Sequence, residues 1–341
     1  MPTVSSRLRR SSDLEPGIRR VKSGKGFSYR DAAGSAVKDP EVLARIRSLA
    51  IPPAYTDVWI CADPKGHLQA VGNDARGRKQ YRYHPKWTTK RGKAKFAHLL
   101  EFAQSLPAIR HRVEDDMGAS SLGREKVVAT VVHLLEHTLI RVGNTQYAKE
   151  NHSYGLTTLK DTHVKVKGAT IRFAFKGKSG VFHELALRDP EAARIVRTLQ
   201  HVPGHHLFDY VDDEGAAHPI GSADVNVYLK EISGLDISAK DFRTWAATVE
   251  AARLLAQCPT DLSVSACKRE VAKVIREVAE MLGNTPAVCR SSYVHPRVLE
   301  AYCAGSPASV RGRKKKGLSG EESAVIRFLE KVAIKGKWQQ K

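Results

Sequence analysis

Apolar residues recur with two different spacings along this chain. Up to about residue 90 the apolar runs are short and are separated by glycine-rich and polar turns, which predicts small strands. One helix interrupts them, because Asp39 and Pro40 form a capped start and apolar residues follow at helical spacing up to Leu49. Residues 58–60 and 67–71 flank a turn, which predicts a hairpin.

Beyond residue 93 the spacing becomes helical. Residues 88–93 are polar and basic, and they are predicted to form a linker. Three β-like runs predict a small sheet at 163–166, 171–175 and 181–187. Helices are predicted at 96–106, 107–117, 124–141, 190–200, 223–232, 240–256, 264–282 and 286–293. A basic stretch at 306–320 precedes a last amphipathic helix, at about 321–334.

These patterns predict an α+β protein with two domains and a tail. Residues 1–90 would form a small, mainly-β N-terminal domain, and residues 91–305 a larger, mostly helical domain that holds the three-stranded sheet. Residues 306–341 are predicted to be a basic linker and a C-terminal helix. No apolar run approaches the roughly 18 residues that a membrane span requires, so no membrane partner is expected.

The net charge of the chain is the first indication of what it binds. Lys and Arg number 56 against 36 Asp and Glu, which gives a formal net charge of +20. An excess of this size is typical of proteins that bind a polyanion such as DNA, RNA or an anionic membrane surface. The chain has no clear basic amphipathic helix with aromatic residues on its apolar face, which disfavours the membrane. Nucleic acid is therefore the expected partner.

Motifs for nucleotide or metal binding fail on inspection. The segment GKS at residues 177–179 is similar to the end of a phosphate-binding loop, but Arg172 stands where that loop requires glycine. His205 and His206 lack a nearby third ligand for a metal. The five cysteines are widely spaced, so buried thiols in a reducing compartment are expected rather than disulfides or a zinc site. We expect no metal, no nucleotide and no other cofactor.

Four further segments carry a family resemblance. They are IRVGN at 140–144 with YGLTTL at 154–159, FKGKS at 175–179, KDFRTW at 240–245, and LGNTP at 282–286 with RSSYVHP at 290–296. In this order and spacing they resemble the type IB DNA topoisomerases of the small poxvirus and bacterial kind, over most of residues 15–304. GRKQYRY at 77–83 is similar to the DNA-contacting segment of that family. The tail after residue 306 matches no part of the family pattern.

The resemblance implies a set of catalytic residues. Tyr293 would attack a DNA phosphodiester and remain attached as a 3′-phosphotyrosine. Arg141 and Arg243 would hold the nonbridging oxygens, because guanidinium groups stabilise the negative charge that grows there. Asn284 would donate a further, uncharged hydrogen bond. Lys178 would protonate the 5′ oxygen as it leaves.

Other residues have weaker claims. Lys176 and Lys240 compete with Lys178 for the role of proton donor, and Lys240 is a candidate to assist it. The candidate DNA-binding residues are Gln80, Tyr81, Tyr83 and Tyr147, the first three of which would reach base edges in the major groove. Because every proposed catalytic residue precedes residue 306, deletion of the tail is expected to weaken DNA affinity or processivity modestly without abolishing cleavage.

The resemblance implies an enzyme that relaxes supercoiled DNA by transient cleavage of one strand, without ATP or metal. It would act as a monomer clamped around double-stranded DNA, in the cytoplasm and with the nucleoid. Two alternatives stay open. A tyrosine recombinase or integrase shares the catalytic set and the fold, but such enzymes typically have His three residues before the second arginine, where this chain has Lys240. A non-enzymatic architectural DNA-binding protein would explain the charge, but not the ordered site residues.

Overall fold

The structure is a computed structural model. It describes residues 7–338, except for the side chains at positions 90, 93, 94, 147 and 335–338. The chain divides into two compact units, Met1–Lys95 and Phe96–Lys341. The domain limits near residues 90 and 305 stay predictions.

The smaller unit is built on a five-stranded antiparallel sheet of order β2-β1-β3-β4-β5. Its strands are β1 (Ile18–Ser23), β2 (Gly26–Arg30), β3 (Thr56–Ile60), β4 (Leu68–Asn73) and β5 (Lys79–Tyr83). The carboxylate of Asp39 caps helix α1 (Pro40–Ser48), which buries Ile46 against residues of the sheet. The predicted strands, helix and hairpin are confirmed.

The predicted linker at residues 88–93 is wrong, because helix α2 (Pro85–Met117) runs through it. Its lysine and arginine residues are good helix formers, so polarity alone does not break a helix there. α2 also continues through Pro107, where two separate helices were predicted. Phe102 and Ile109, on either side of Pro107, are buried in one core. We infer that this packing offsets the hydrogen bond that proline removes.

The larger unit is mostly helical. After α2 its helices are α3 (Arg124–Thr138), α4 (Thr145–Asn151), α5 (Pro190–Leu199), α6 (Ser222–Ser233), α7 (Ala239–Leu255), α8 (Val264–Met281), α9 (Pro286–Ser292), α10 (Pro296–Cys303) and α11 (Gly320–Trp338). The antiparallel sheet β6-β7-β8 consists of Val164–Lys167, Thr170–Lys176 and Phe182–Arg188. A small ladder pairs β9 (Asp209–Val211) with β10 (Ala217–Pro219).

The predicted α+β class is confirmed, as are the three strands and most helices of the larger unit. One helix ends earlier than predicted: α3 stops at Thr138 instead of residue 141, because Leu139 adopts a left-handed conformation with φ of 54°. Arg141 therefore lies on irregular backbone rather than on a helix. Within residues 7–338, none of the helices combines the length and apolar character needed to cross a membrane.

One feature of the larger unit differs from the sequence expectations, and a second was not predicted. Cys267 on α8 and Cys303 on α10 form a disulfide with a Cα–Cα distance of 5.8 Å, so the expectation of five thiols is wrong for this pair. The two cysteines are 36 residues apart in sequence, and only the packing of α8 beside α10 brings them together. The C-terminal helix α11 is not a free appendage, since Val325 and Leu329 are buried in the same core as α2 and α7.

Candidate active site

Arg141 is held by the segment that contains the YGLTTL motif. The carbonyl of Arg141 accepts a hydrogen bond from the Leu156 amide at 2.9 Å, and the next carbonyl, of Val142, accepts one from Thr157 at 2.7 Å. A Cβ atom at Gly155 would lie only 2.5 Å from the Arg141 carbonyl oxygen, so this close approach requires glycine. The motif therefore fixes the backbone that carries Arg141.

Arg243 lies on α7 and is only 4% exposed. Its guanidinium donates hydrogen bonds to the carbonyl of Leu139 and, at 2.6 Å, to the carbonyl of Leu282. These carbonyls lie at the C-terminal ends of α3 and α8, where helices leave acceptors unpaired and carry partial negative charge. Arg243 thus connects α7 to the C-terminal ends of α3 and α8.

Asn284 follows the end of α8 and faces Arg141. Its backbone amide donates to the Ala279 carbonyl at 2.8 Å, and its side-chain oxygen accepts a hydrogen bond from the Arg141 guanidinium. Its side-chain nitrogen is buried without a hydrogen-bond partner among the described residues, and so is Nε of Arg243. Buried donors are normally paired. Two unpaired donors in one site suit a ligand that supplies acceptor oxygens.

Tyr293 follows α9 and is 9% exposed. Its ring centroid lies 5.5 Å from the Arg243 guanidinium carbon and 5.7 Å from Nζ of Lys240. The hydroxyl of Thr248, buried on α7, donates to the Thr244 carbonyl at 2.8 Å, lies 3.3 Å from the Tyr293 carbonyl and accepts from the His295 amide at 3.1 Å. Thr248 therefore contacts the backbone that directly follows Tyr293. Sequence reasoning missed it, although a polar residue within the apolar face of α7 was a signal.

Lys178 lies in a tight turn, Lys178–Gly180, between β7 and β8. It lines a pocket together with Arg141 and Arg243. The other residues that line this pocket are Leu139, Ile140, Tyr154, Phe175, Gly177 and His183. Of the three candidate proton donors, only Lys178 is among these lining residues. Lys240 instead faces the ring of Tyr293.

The site is strongly positive. Burial lowers the pKa of Arg141, while burial and the neighbouring Arg141 charge lower the pKa of Arg243 to about 10. Both groups stay cationic at neutral pH, and the described residues that line the pocket include no carboxylate. Among the described residues, no cluster of three His, Cys, Asp or Glu side chains could hold a metal ion. The unbalanced charge favours an anionic ligand.

The remaining candidates lie elsewhere. Tyr81 and Tyr83 are 48% and 41% exposed on one face of the edge strand β5, with stacked rings whose centroids are 6.2 Å apart. Gln80 points to the opposite face by strand alternation, and its amide nitrogen donates to Asp74 at 3.0 Å. The side chain of Tyr147 lies outside the described residues.

A tyrosine beside the buried Arg243, with the half-buried Arg141 and its partner Asn284 in the same site, is suited to the transfer of a phosphodiester to tyrosine. Comparison with known sequences agrees with this chemistry. The family model described as "Eukaryotic DNA topoisomerase I, catalytic core" matches residues 84–313. The one described as "Bacterial DNA topoisomerase IB, N-terminal domain" matches residues 26–74.

Curated relatives point the same way. DNA topoisomerase 1B of Acanthamoeba polyphaga mimivirus is 32% identical over 296 residues, which are 85% of this chain and 88% of the relative. DNA topoisomerase I of Monkeypox virus is 25% identical over 287 residues, 82% of this chain and 88% of the relative. The chain therefore belongs to the type IB DNA topoisomerases.

Among solved structures, the post-cleavage complex of XerH site-specific recombinase with palindromic difH substrate is similar with a TM-score of 0.36 and 17% identity. The similarity covers 57% of this chain and 49% of that one. The predicted resemblance to type IB topoisomerases is confirmed by the family and the relatives. The two alternatives, a tyrosine recombinase and an architectural DNA-binding protein, are set aside.

Proposed function

We propose that this chain relaxes supercoiled double-stranded DNA by opening and resealing one strand through a covalent link to Tyr293. The observation that carries the proposal is that Arg243 lies 5.5 Å from the centroid of the Tyr293 ring, lines a pocket with Arg141, and that Arg141 is hydrogen-bonded to Asn284. Among the described residues, Nε of Arg243 and the side-chain nitrogen of Asn284 have no hydrogen-bond partner, which supports binding of a phosphate next to the tyrosine.

In the proposed step, the Tyr293 oxygen bonds to phosphorus and the bond from phosphorus to the 5′ oxygen breaks. The phenol gives its proton to solvent water, and Lys178 gives one to the leaving 5′ oxygen, which returns it to Lys178 when the strand is resealed. Arg141, Arg243 and Asn284 hold the nonbridging oxygens. After the free 5′ end has rotated, its hydroxyl attacks the phosphotyrosine and restores the strand.

Neither ATP nor a metal ion has a necessary role in this scheme. The energy of the broken phosphodiester is kept in the phosphotyrosine ester, and Arg141 and Arg243 supply the charge that a metal would otherwise provide. We assign the chain a duplex DNA substrate and a monomeric state, and place its action at the nucleoid in the cytoplasm.

The smaller unit contributes DNA contacts in this proposal. Tyr81 and Tyr83 present exposed, stacked rings on an edge strand, which supports contact with base edges in the major groove. The amide nitrogen of Gln80 is bound to Asp74, so its side-chain oxygen is the atom that we propose to reach a base. The assignments of Gln80 and Tyr147 rest on the sequence resemblance. The domains proposed for these roles are residues 1–90 and 91–305.

Trapping the covalent intermediate tests the proposal. The protein is denatured during relaxation of plasmid DNA in chelator without nucleotide, and the residue bound to the 3′ phosphate is mapped by peptide mass. We expect Tyr293 to carry the nucleotide, and Tyr293→Phe to bind DNA normally without forming an adduct. A different linked residue, or relaxation that strictly requires ATP or Mg²⁺, would contradict the proposal.

A further inference from the structure

His183 lies between two backbone segments of the active site. It is on β8, directly opposite Phe175 on β7, and the two rings are nearly parallel with centroids 5.2 Å apart. A Cβ atom at Gly177 would lie 2.5 Å from His183 Cδ2, and one at Gly283 would lie 2.8 Å from its Cε1. Both neighbours are glycine, so the ring reaches the two backbones directly.

The two backbones carry different parts of the proposed chemistry. Gly177 immediately precedes Lys178, and its amide donates to the Val181 carbonyl at 2.7 Å, which closes the turn. Gly283 immediately precedes Asn284, and its carbonyl accepts a hydrogen bond from Arg141 at 3.2 Å. The ring of His183 is therefore a spacer between the turn with the proton donor and the segment that holds the nonbridging oxygens.

The chemistry of an imidazole suits this place. Burial lowers the pKa of His183, and the charges of Arg141 and Arg243 lower it further, so the ring is neutral at physiological pH. A neutral ring fills the space without adding a third positive charge next to the two guanidinium groups. A lysine or arginine of similar length would repel them.

We propose that His183 is a positioning residue for DNA cleavage, whose ring sets the distance between the Lys178 turn and the Gly283–Asn284 segment. This proposal rests on the proposed function, because it assumes that Lys178 donates the proton. Without the ring, the turn would lose its support on the side of Gly283, and the lysine would no longer be held at the leaving oxygen. Displacement by about 1 Å costs on the order of 10²-fold in such reactions.

Single-turnover cleavage on two substrates tests it. One substrate is ordinary duplex DNA, and the other has sulfur in place of the scissile 5′ bridging oxygen, so that the thiolate leaves without a proton, free thiols having a pKa of about 8.5. His183→Ala should cleave ordinary DNA about 10–10²-fold more slowly, and most of that loss should vanish with sulfur. His111→Ala, an exposed histidine on α2, is the matched control and should equal the unsubstituted protein on both substrates.

A second pair of variants separates the contact from a general loss of structure. The methyl group of Gly177→Ala would collide with the His183 ring, and Gly177 has an ordinary backbone conformation with φ of −94°. Gly177→Ala should slow cleavage in the presence of the ring, but it should add little to His183→Ala. Equal losses with and without the ring would overturn the proposal.

The remaining outcomes also decide. A His183→Ala variant that cleaves ordinary DNA at the normal rate overturns the proposal, as does one whose loss is the same on both substrates. Lys178→Ala is measured alongside on both substrates. If sulfur restores Lys178→Ala but not His183→Ala, only the role of His183 fails. If sulfur does not restore Lys178→Ala, the proton-donor role of Lys178 fails, and His183 as its positioning residue fails with it.

Discussion

The carboxylate of Glu322 accepts a hydrogen bond from the indole nitrogen of Trp245 at 3.0 Å. Trp245 is two residues beyond Arg243 on α7, whereas Glu322 is in the first turn of α11. The same carboxylate accepts two hydrogen bonds from Arg110 on α2, at 2.8 and 3.0 Å, and Arg110 also binds Glu136 on α3 at 2.6 Å. The C-terminal helix is thus tied to the helix that carries Arg243.

Removal of this carboxylate should destabilise the protein. Glu322 has a side chain only 13% exposed, and Glu322→Ala leaves the Trp245 donor unpaired and Arg110 with a single carboxylate. We expect the free energy of unfolding to fall by about 2–4 kcal/mol, as measured by urea titration. Glu330→Ala on the same helix, where the carboxylate accepts a hydrogen bond from the exposed Gln104, should change the free energy of unfolding by less than about 0.5 kcal/mol.

The same contacts change what we expect of the tail. The sequence predicts that deletion after residue 306 weakens DNA affinity or processivity modestly without abolishing cleavage, because all proposed catalytic residues precede it. Deletion removes Glu322 and also the buried side chains of Val325 and Leu329. We therefore expect the truncated chain to be less stable than Glu322→Ala, and to lose cleavage at temperatures where the full chain is active.

Arg141 and Asn284 should act as a unit. The side-chain oxygen of Asn284 accepts a hydrogen bond from Arg141, so loss of either group leaves the other without its neighbour. Each alanine substitution should slow cleavage by about 10²–10³-fold, the usual loss when a charge-stabilising donor is removed. In single-turnover assays, the cleavage rate of the double variant should fall by less than the product of the two single-variant fold-losses. Strictly multiplicative losses would show that the two side chains act independently.

Lys178 and Lys240 should respond differently to the sulfur-bridged substrate. Lys178 lines the pocket with both arginines, whereas Nζ of Lys240 lies 5.7 Å from the centroid of the Tyr293 ring. Lys178→Ala should lose about 10²–10⁴-fold on ordinary DNA and recover most of it with sulfur. Lys240→Ala should be slower on both substrates, since its place is beside the nucleophile. Recovery of Lys240→Ala alone would assign the proton to that lysine.

Stability should fall with acid in two stages. Burial, aided by the Arg297 charge, lowers the pKa of His295 from an ordinary 6.5 to about 4. As the pH falls, His295 is therefore protonated in the unfolded chain before it is protonated in the folded one. The free energy of unfolding should fall from about pH 6.5 towards pH 4. Burial would raise the pKa of Glu322, but the hydrogen bonds from Arg110 and Ser319 lower it below 4.5. The ionised Glu322 therefore contributes fully to stability above pH 4.5, and this contribution is lost as the pH falls through the pKa that Glu322 has in the folded state.

His295→Asn isolates the first stage. In the unsubstituted chain, the His295 ring accepts a hydrogen bond from the Arg297 amide at 3.2 Å and so caps the helix. An asparagine side chain can accept the same hydrogen bond, but it does not titrate. The urea-derived stability of this variant should depend less on pH between 6.5 and 5 than that of the unsubstituted chain. Some slope should remain, because burial also lowers the pKa values of His133 and His183. An unchanged slope would contradict the prediction.

Local patterns along the sequence were enough to predict many of the elements. The strand β7 and its neighbours show their alternation over a few residues, and the helix start at Asp39 caps its own next turn. These signals lie within a few residues of one another, so they can be recognised without knowledge of the fold. The choice of Tyr293 among ten tyrosines was different, because no local feature distinguishes it, and only the ordered resemblance of several segments did.

Contacts between distant residues decided the rest. Polarity at residues 88–93 predicted a linker, but these residues belong to the continuous helix α2. The apolar residues further along α2 are buried in the core. The left-handed Leu139 ends α3 early, and its carbonyl is bound by Arg243, which is more than a hundred residues away. The place of His183 between Gly177 and Gly283 likewise depends on three segments meeting. The sequence by itself therefore determined the family, most elements and the chemical groups, because these follow from short-range patterns and their order. Tertiary packing alone decided how those groups are held, because burial and hydrogen bonding between distant segments exist only in the folded chain.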